Sequence, residues 1–389
     1  MDQAVRTDAL ARARALGPLI AQSAPAIERD QRLPLALMEA IHAARLFRLL
    51  LPHSFGGEEI EPWHYFNAVE EISRHDGSVG WLMFVANSAC LISAWMEPET
   101  ARAIFADPAA SIAWGPPGAD RCRAVPGGYR VSGTWSFASG CRHATWMGAH
   151  CPVVEPDGSL RLNARGKPLL RTLLFPVAAA RLHDDWDVIG LRGTASVSYT
   201  VEDLFVPEAH SSTREEPEAV RERGRLYSFP QQTLYPVGAA AVAAGLVRGM
   251  LDAFGDLATR KSPRNLDLIA RAPWVQTELA RQEARLAAAR ALVLATLEEI
   301  WADPDPAVPI SVAQRARLRL AVTHALDEAT HVALWVWRAA GTDAIRTGSP
   351  FDRRLRDLLT VSQQIQARIA NFEVVGKLLL GQEVAGPVY

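Results

Sequence analysis

The feature that most constrains the fold is a change in the spacing of apolar residues, from a helical period to a strand period and back. Between residues 4 and 105 apolar side chains recur every three or four positions, as at Leu35, Met38 and Ile41, which predicts amphipathic helices. Between residues 110 and 208 the period shortens to two and β-forming residues dominate, which predicts strands. The helical period then returns and persists almost to the end of the chain.

This order predicts an α+β protein with three regions. We expect an N-terminal helical domain at residues 1–108, a central β-barrel-like domain at residues 109–212 and a C-terminal helical domain at residues 213–389. A chain of 389 residues is also too long for one ordinary core. The C-terminal domain is expected to be a bundle of four long helices, whose predicted spans are residues 235–259, 266–302, 312–340 and 351–380.

Composition excludes several classes of function. The 41 basic and 43 acidic residues give a net charge of −2, so no broad positive field attracts nucleic acid or an anionic membrane. The four cysteines include no CxxC pair, which argues against a zinc site and a disulfide framework and suits a reducing compartment. The N-terminus lacks the apolar core of a secretory signal, and no uninterrupted apolar run approaches about 20 residues. We therefore expect a cytoplasmic protein without metal, nucleic-acid or membrane partners.

Three segments carry unusual patterns of residues. Residues 133–146 read GTWSFASGCRHATW, residues 186–207 read WDVIGLRGTASVSYTVEDLFVP, and residues 341–364 read GTDAIRTGSPFDRRLRDLLTVSQQ. With the helix, strand, helix order, these segments resemble the acyl-CoA dehydrogenase superfamily. Within it the chain looks most like the branch of flavin-dependent hydroxylases, two-component enzymes that accept reduced flavin from a separate reductase. The resemblance runs over nearly the whole chain.

The resemblance implies that the first segment passes beneath a flavin ring and ends in a Ser-Gly turn. An isoalloxazine needs a flat apolar surface on one face and a hydrogen-bond donor near N5, for which we propose the Ser139 hydroxyl; Gly140 permits a close backbone approach. On residue types alone, a β-hairpin core with buried tryptophans is an equally good interpretation. The candidate cofactor-binding residues of this segment are Trp135, Phe137, Ala138, Ser139 and Gly140.

The second segment resembles the family's strand-turn-strand unit. In its glycine-rich turn, Thr194 and the neighbouring amides are placed to hold flavin oxygens, because clustered N–H donors form a concavity for such groups. Arg260, near the end of a predicted helix, resembles a family arginine that reaches the cofactor phosphate of an adjacent subunit. The resemblance and the long helices imply a homotetramer in which one subunit completes the flavin site of its neighbour.

The third segment departs from the branch at one position. Where the branch has a histidine beside the flavin, this chain has Gln364, which donates hydrogen bonds but does not exchange a proton near neutral pH. Ser139 and Gln364 are therefore the candidate catalytic residues. Arg356 and Asp357 match the family motif, but adjacent helix positions do not face each other, so we expect structural roles with different partners.

Two further places are candidates for substrate contact. Residues 77–87, GSVGWLMFVAN, resemble the family helix that lines the substrate pocket, which makes Trp81, Phe84 and Asn87 candidate pocket walls; a plain core helix is the alternative. His143 follows the Ser-Gly turn and is a candidate to face the flavin or the substrate, although a lone histidine is more often structural.

These observations favour a flavin-dependent monooxygenase that uses reduced FMN or FAD, supplied by a partner flavin reductase, and O2 to oxygenate a small, preferably aromatic substrate. One alternative is an acyl-CoA dehydrogenase-type desaturase, which needs a carboxylate base; Glu373 is a poor match to the family's base motif. A second alternative is a non-catalytic flavin-binding oligomeric scaffold, suggested by Gln364.

Overall fold

The computed structural model describes residues 8–118, 120–213, 216, 219–303 and 309–384. The expected order of helices, sheet and helices is confirmed. The helices of the first region have the following bounds: α1 Asp8–Asp30, α2 Leu35–Ala43, α3 Pro62–His75, α4 Gly77–Cys90 and α5 Pro98–Phe105. Proline occupies the first turn of α3 and of α5, where its missing N–H costs nothing because that donor has no partner within the helix.

The central region is a mixed sheet with eight strands among the described residues, ordered β6-β7-β3-β2-β4-β5-β8, with β1 paired to β4. A short parallel contact between β2 and β4 joins its two halves, whose other pairs are antiparallel except for the parallel pair of β1 with β4. Alternate side chains from both halves share one buried core. The strands are β1 Ile112–Trp114, β2 Cys122–Val125, β3 Gly128–Trp135, β4 Trp146–Val154, β5 Leu170–Pro176, β6 Arg181–Leu182, β7 Tyr199–Pro207 and β8 Ser211–Ser212.

In its described residues, the C-terminal region contains three long helices and two short ones. They are α6 Gln231–Ala258, α7 Pro273–Trp301, α8 Val312–Ala340, α9 Pro350–Val361 and α10 Ala370–Leu379. The second predicted helix starts seven residues too early, because Pro273 opens α7 and the residues before it include only a short 3₁₀ turn, Ile269–Arg271.

The prediction of a fourth long helix is wrong, because the chain turns between α9 and α10. The Gln364 side chain accepts a hydrogen bond from the Gln366 backbone N–H at 2.7 Å and so begins a short 3₁₀ turn, Ile365–Ala367. The turn buries Gln366, whose side chain contacts Arg319 of α8. A continuous amphipathic helix needs an apolar residue at position 366. This chain has Gln366 there, buried and hydrogen-bonded to Arg319.

Within the described part of the chain, two segments, Gly77–Trp95 and Gln231–Ala258, are long and apolar enough to cross a membrane. The sequence suggested no such run, because serine, asparagine and glycine interrupt these segments. Inside the protein 94% and 83% of their most apolar windows are buried, respectively. Both segments therefore act as core helices of the fold.

Helices α3 and α6 pack so closely that glycine is needed between them. A Cβ atom at Gly245 would lie 2.2 Å from the carbonyl oxygen of Glu70, and one at Gly249 would lie 2.4 Å from that of Arg74. Both atoms belong to backbone, which does not move as a side chain does. The glycines thus set the separation of the two helices and hold α3 against the bundle.

We expect Gly245→Ala to destabilise the protein by about 2 kcal/mol, because the added methyl overlaps the α3 backbone. Gly255→Ala, on the same helix, is the matched control: a Cβ there meets nothing within 4 Å, and the better helix propensity of alanine should stabilise by up to about 1 kcal/mol. Urea unfolding followed by circular dichroism measures both. Equal effects of the two substitutions would contradict the close-packing argument.

Candidate active site

The candidate site lies where the three regions meet, and a set of buried hydrogen bonds holds that junction together. Asp76 caps α4 by accepting from the backbone N–H groups of Ser78 and Val79 at 2.9 and 3.1 Å. The Ser78 hydroxyl accepts from Gly193 N–H at 3.1 Å. On the other side, Asp357 of α9 accepts from Leu191 N–H at 2.6 Å. One turn of the β region is therefore clamped between a helix of each helical region.

The junction buries two carboxylates beside each other. Burial, and then the charge of Asp76, raises the pKa of Asp357 to about 7. Burial likewise raises the pKa of Asp76, and Arg353, whose Nε lies 3.6 Å from Asp76 Oδ2, opposes that increase. Two adjacent buried carboxylates do not both ionise readily. The junction therefore holds a proton at pH values where exposed aspartates have lost theirs.

The clamped turn, residues 191–196, has an unusual backbone that its hydrogen bonds maintain. Leu191 and Ala195 have positive φ angles of 52° and 42°, which non-glycine residues rarely adopt. The Leu191 carbonyl accepts from Thr194 N–H at 3.1 Å, from the Thr194 hydroxyl at 2.8 Å and from Trp186 Nε1–H at 3.3 Å. Three donors on one oxygen fix its position.

A row of hydroxyl groups leads from this turn to Ser139. The Ser196 hydroxyl oxygen lies 2.6 Å from Thr194 Oγ1 and 2.7 Å from Ser139 Oγ. Trp81 of α4 donates its indole N–H to Ser139 Oγ at 3.0 Å. Ser139 is thus held from both sides, by the β region and by the N-terminal helices, while one face of it stays accessible.

The turn that carries Ser139 is attached to the clamped turn through its backbone. Gly140 N–H donates to Thr194 O at 2.9 Å, and Gly140 has a φ of 79°, a value that glycine adopts without strain. Phe137 has a φ of 64°, and its side chain is 63% exposed, with its ring edge-to-face on Trp186 at 6.2 Å between centroids. The turn therefore carries an exposed aromatic ring two residues before the Ser139 hydroxyl.

A small cavity lies beside Ser139, with a volume of about 20 Å³, which is room for about one water molecule. Its lining is mainly apolar and, among the described residues, includes no aspartate or glutamate. The lining residues are Met38, Phe47, Leu82, Val85, Ala86, Ser111, Ile112, Ala113, Ser139, Gly140, His143 and Ala144.

His143 also lines the cavity, and its ring is neutral near pH 7. Burial, and then the positive charge of Arg32, lowers its pKa. Its Nε2 accepts from Leu33 N–H at 3.2 Å, so the neutral ring carries its proton on Nδ1. His143 therefore has a structural hydrogen bond to the backbone and also lies at the cavity, so a structural role and a ligand-facing role are compatible.

Two residues of the predicted cofactor surface, Trp135 and Ala138, lie inside the protein. Trp135 is buried in the sheet core, where it stacks on Tyr199 and donates to the His150 carbonyl at 3.3 Å. Ala138 is also fully buried. The strand alternation continues through Trp135 and then breaks at Phe137, so of the apolar residues in this turn Phe137 is the one open to a ligand.

Thr194 also differs from its predicted role as a direct cofactor ligand. It is buried, and both its backbone N–H and its hydroxyl donate to Leu191 O. Neither donor remains for a flavin oxygen. Thr194 acts instead through Ser196, a residue that our sequence analysis missed although its serine follows the threonine by two positions in the same motif.

The predicted substrate-facing helix turns only part of its face to the cavity. Asn87 is buried, and its amide is occupied by the backbone of Leu46, Leu49 and Met83. The Phe84 ring is fully buried and packs edge-to-face on Trp81. The adjacent residues Leu82, Val85 and Ala86 line the cavity in their place, a shift of one helix position that the apolar pattern did not resolve.

Two residues of the predicted site, Gln364 and Arg260, do not line the cavity beside Ser139. Gln364 is committed to the 3₁₀ turn after α9 through its bond to Gln366. Arg260 is exposed beyond the end of α6 and donates to Asp256 O at 2.9 Å.

Arg356 and Asp357, adjacent on α9, have different partners. Arg356 pairs with Asp352 and Glu28 at 2.8 Å each. Asp357 accepts from Leu191 N–H, so the prediction that the two have different partners is confirmed.

Comparisons with known proteins agree with this architecture. Residues 11–109 match the family model for the acyl-CoA dehydrogenase N-terminal domain, and residues 237–368 match that for the C-terminal domain. The chain is similar to indole-3-acetate monooxygenase of Pseudomonas putida, with 28% identity over 92% of this chain and 89% of that protein. It is similar to the FADH(2)-dependent resorcinol hydroxylase, oxygenase component, of Rhizobium sp., with 26% identity over 96% of this chain and 93% of that protein.

A solved structure shows the same fold. XiaF from Streptomyces sp., in complex with FADH2 and glycerol, superposes with a TM-score of 0.90 at 22% identity, covering 98% of this chain and 97% of that one. The homologues are oxygenase components of flavin-dependent monooxygenases, and the predicted resemblance is confirmed.

The raised pKa of Asp357 predicts a pH-dependent stability. The pKa of Asp357 is about 7 in the folded protein, above its ordinary value of 3.8. The stability that the bound proton contributes is therefore complete below pH 4. It is lost as the pH rises through 7, by about 4 kcal/mol at most. Asp357→Asn should flatten the dependence of the free energy of unfolding between pH 5 and 8, measured with urea. Asp256→Asn, on an exposed carboxyl, should not. An unchanged pH slope in Asp357→Asn would contradict the buried-proton interpretation.

Proposed function

We propose that this chain, which belongs to the acyl-CoA dehydrogenase superfamily, is the oxygenase component of a two-component flavin-dependent monooxygenase acting on a small aromatic substrate. The observation that carries the proposal is the Ser139 hydroxyl, held by Trp81 and Ser196 at the edge of an apolar cavity. The similarity to oxygenase components over nine-tenths of the chain supports it.

The residues around Ser139 suit a flavin ring. Phe137 offers an exposed apolar face, Gly140 leaves the backbone open to close approach, and Ser139 presents a polar atom between them. When bound, the reduced flavin supplies the electrons that activate O2. The comparisons do not choose between FMN and FAD, and we propose that either is accepted in its reduced form from a partner flavin reductase.

The cavity beside Ser139 suits a dry reaction chamber. Its apolar walls exclude water from the reacting groups, which prevents loss of the activated oxygen to solvent. Its small volume means that side chains such as Leu82 and Phe47 move apart when a substrate enters. We propose that His143, neutral and with its proton on Nδ1, faces the substrate there.

The desaturase alternative lacks the carboxylate that it requires. Removal of an α-proton needs a base at the cavity, and no aspartate or glutamate lines it in the described part of the chain. Glu373, the candidate from the sequence, is exposed and paired with Lys377, which lowers its pKa. The scaffold alternative rests on Gln364, whose side-chain oxygen accepts from the Gln366 N–H in the turn after α9, and the activity test below decides it.

We further propose a homotetramer in the cytoplasm. Large apolar side chains are exposed on the C-terminal segment, as at Ile369 and Leu379 with 77% and 76% exposure, and such patches mark protein contacts. Arg260 is exposed, as contact with a neighbouring subunit's cofactor requires. The four cysteines are free, which suits a reducing compartment.

The activity is tested by mixing the protein with a flavin reductase, NADH, FMN or FAD, and a panel of indoles and phenols under ¹⁸O₂. We expect a product with one ¹⁸O atom, detected by mass spectrometry. Ser139→Ala should lower product yield about ten- to a hundredfold, the value of one hydrogen bond to a charged or strongly polar partner. Ser136→Ala, in an exposed serine three positions earlier, is the matched control.

Other outcomes identify the alternatives. Bleaching of oxidised flavin by acyl-CoA esters without oxygen incorporation would establish the desaturase. Flavin binding with no substrate-dependent product in the whole panel would favour the scaffold and overturn the monooxygenase proposal.

The oligomeric state is tested by light scattering at micromolar concentration, where we expect the mass of four chains. Ile369→Lys with Leu379→Lys should reduce that mass, because charge replaces apolar contact area. Val312→Lys, at an exposed apolar residue that opens α8, is the control for added charge. A monomeric wild-type protein would overturn the tetramer.

A further inference from the structure

The hydroxyl row behind Ser139 allows its hydrogen atoms only one order. One end is Trp81, whose indole N–H donates and does not accept, and the other is the Leu191 carbonyl, which accepts and does not donate. Each of the three hydroxyl groups between them, those of Ser139, Ser196 and Thr194, has a single hydrogen. A contact of 2.6 or 2.7 Å between two hydroxyl oxygens requires a hydrogen between them.

The order follows from the carbonyl end. Thr194 donates its hydrogen to Leu191 O, so it must accept from Ser196 across their 2.6 Å contact. Ser196 has then used its own hydrogen and must accept from Ser139 across their 2.7 Å contact. Ser139 therefore directs its hydrogen into the protein, away from the cavity, and receives the indole hydrogen of Trp81 on one lone pair. Its remaining lone pair is what it offers to the cavity.

We propose that this one-way row makes Ser139 a hydrogen-bond acceptor toward the flavin and thereby makes the site prefer reduced over oxidised flavin, with Ser196 and Thr194 as positioning residues. The inference rests on the proposed function. N5 of a reduced flavin carries a hydrogen and donates, whereas N5 of an oxidised flavin is an acceptor, so a fixed acceptor attracts the first and repels the second. This reverses the donor role that the sequence suggested for Ser139.

The surroundings of the row keep its order fixed. Ser196 and Thr194 are 5% and 1% exposed, so no solvent water replaces a missing partner. The accepting end is held by three donors on Leu191 O, while Asp357 holds the N–H of the same residue. The row is thus anchored to the three-region junction, and the preference for reduced flavin depends on residues that do not touch the ligand.

The test is the ratio of the dissociation constants for oxidised and reduced FMN and FAD, measured anaerobically by fluorescence and calorimetry on the whole protein. The wild type should bind reduced flavin more tightly. In Ser196→Ala the hydrogen of Ser139 has lost its acceptor and turns to the cavity, so the preference should fall about tenfold. That change equals a shift of the bound flavin's midpoint potential of about 30 mV to more negative values for a two-electron couple.

Matched variants distinguish an effect of the hydrogen-bond direction in the row from a general disturbance of the structure. Thr194→Val removes the next acceptor in the row and should shift the ratio in the same direction, and Thr194→Ser, which keeps the hydroxyl, should restore it. Ser198→Ala is the control, because Ser198 donates to Ser136 at the protein surface, outside the row, and it should leave the ratio unchanged. Thermal unfolding of every variant reports whether it is folded; if Ser196→Ala does not fold, the threonine pair carries the test.

The outcomes are distinguishable from failure of the proposed function. If the wild type binds no flavin in either state, the proposed function fails and this inference fails with it. If the wild type binds flavin and makes product, but Ser196→Ala and Thr194→Val keep the wild-type ratio, the ordered row is wrong and the monooxygenase remains. An equal loss of affinity for both flavin states in these variants would also overturn the inference, since it indicates a structural role alone.

Discussion

The site depends on one buried junction, in which Asp357 of α9 holds the 191–196 turn and Asp76 caps the helix that faces it. The contact joins three regions that are distant in sequence. Close packing leaves it little freedom, because a Cβ atom at Gly190 would lie 2.2 Å from the Arg356 carbonyl oxygen. The junction buries the carboxylates of Asp76 and Asp357 in a place that disfavours their charge. The hydrogen bonds that these two groups make to the backbone therefore offset the free-energy cost of burying them.

What the junction positions is a hydrogen atom. The strained turn presents Leu191 O as a fixed acceptor, and the row through Thr194 and Ser196 passes that constraint to Ser139. Each bond in the row is ordinary, worth about 1 kcal/mol. Their common direction matters more than their sum, because it determines whether the group at the cavity edge donates or accepts. The same residues therefore serve stability and ligand choice.

The fold places the apolar walls of the small cavity beside Ser139, and the exposed Phe137 lies two residues before Ser139 in the same turn. Helix α4 contributes the wall through Leu82 and Ala86, while its neighbours Phe84 and Asn87 anchor the helix to the core behind it. Relatives that share less than a third of their residues keep this architecture.

The sequence by itself determined the order of the three regions and the segment that carries the site, because periodicity and turn chemistry are local properties. It also indicated Ser139, Gly140 and Phe137. Only the tertiary structure decided that Trp135 and Asn87 are core residues, that α9 and α10 are separate helices, and that Ser196 matters. The direction of the Ser139 hydrogen was beyond sequence reasoning altogether, because it is set by donors and acceptors more than 50 positions apart that meet only when the chain is folded.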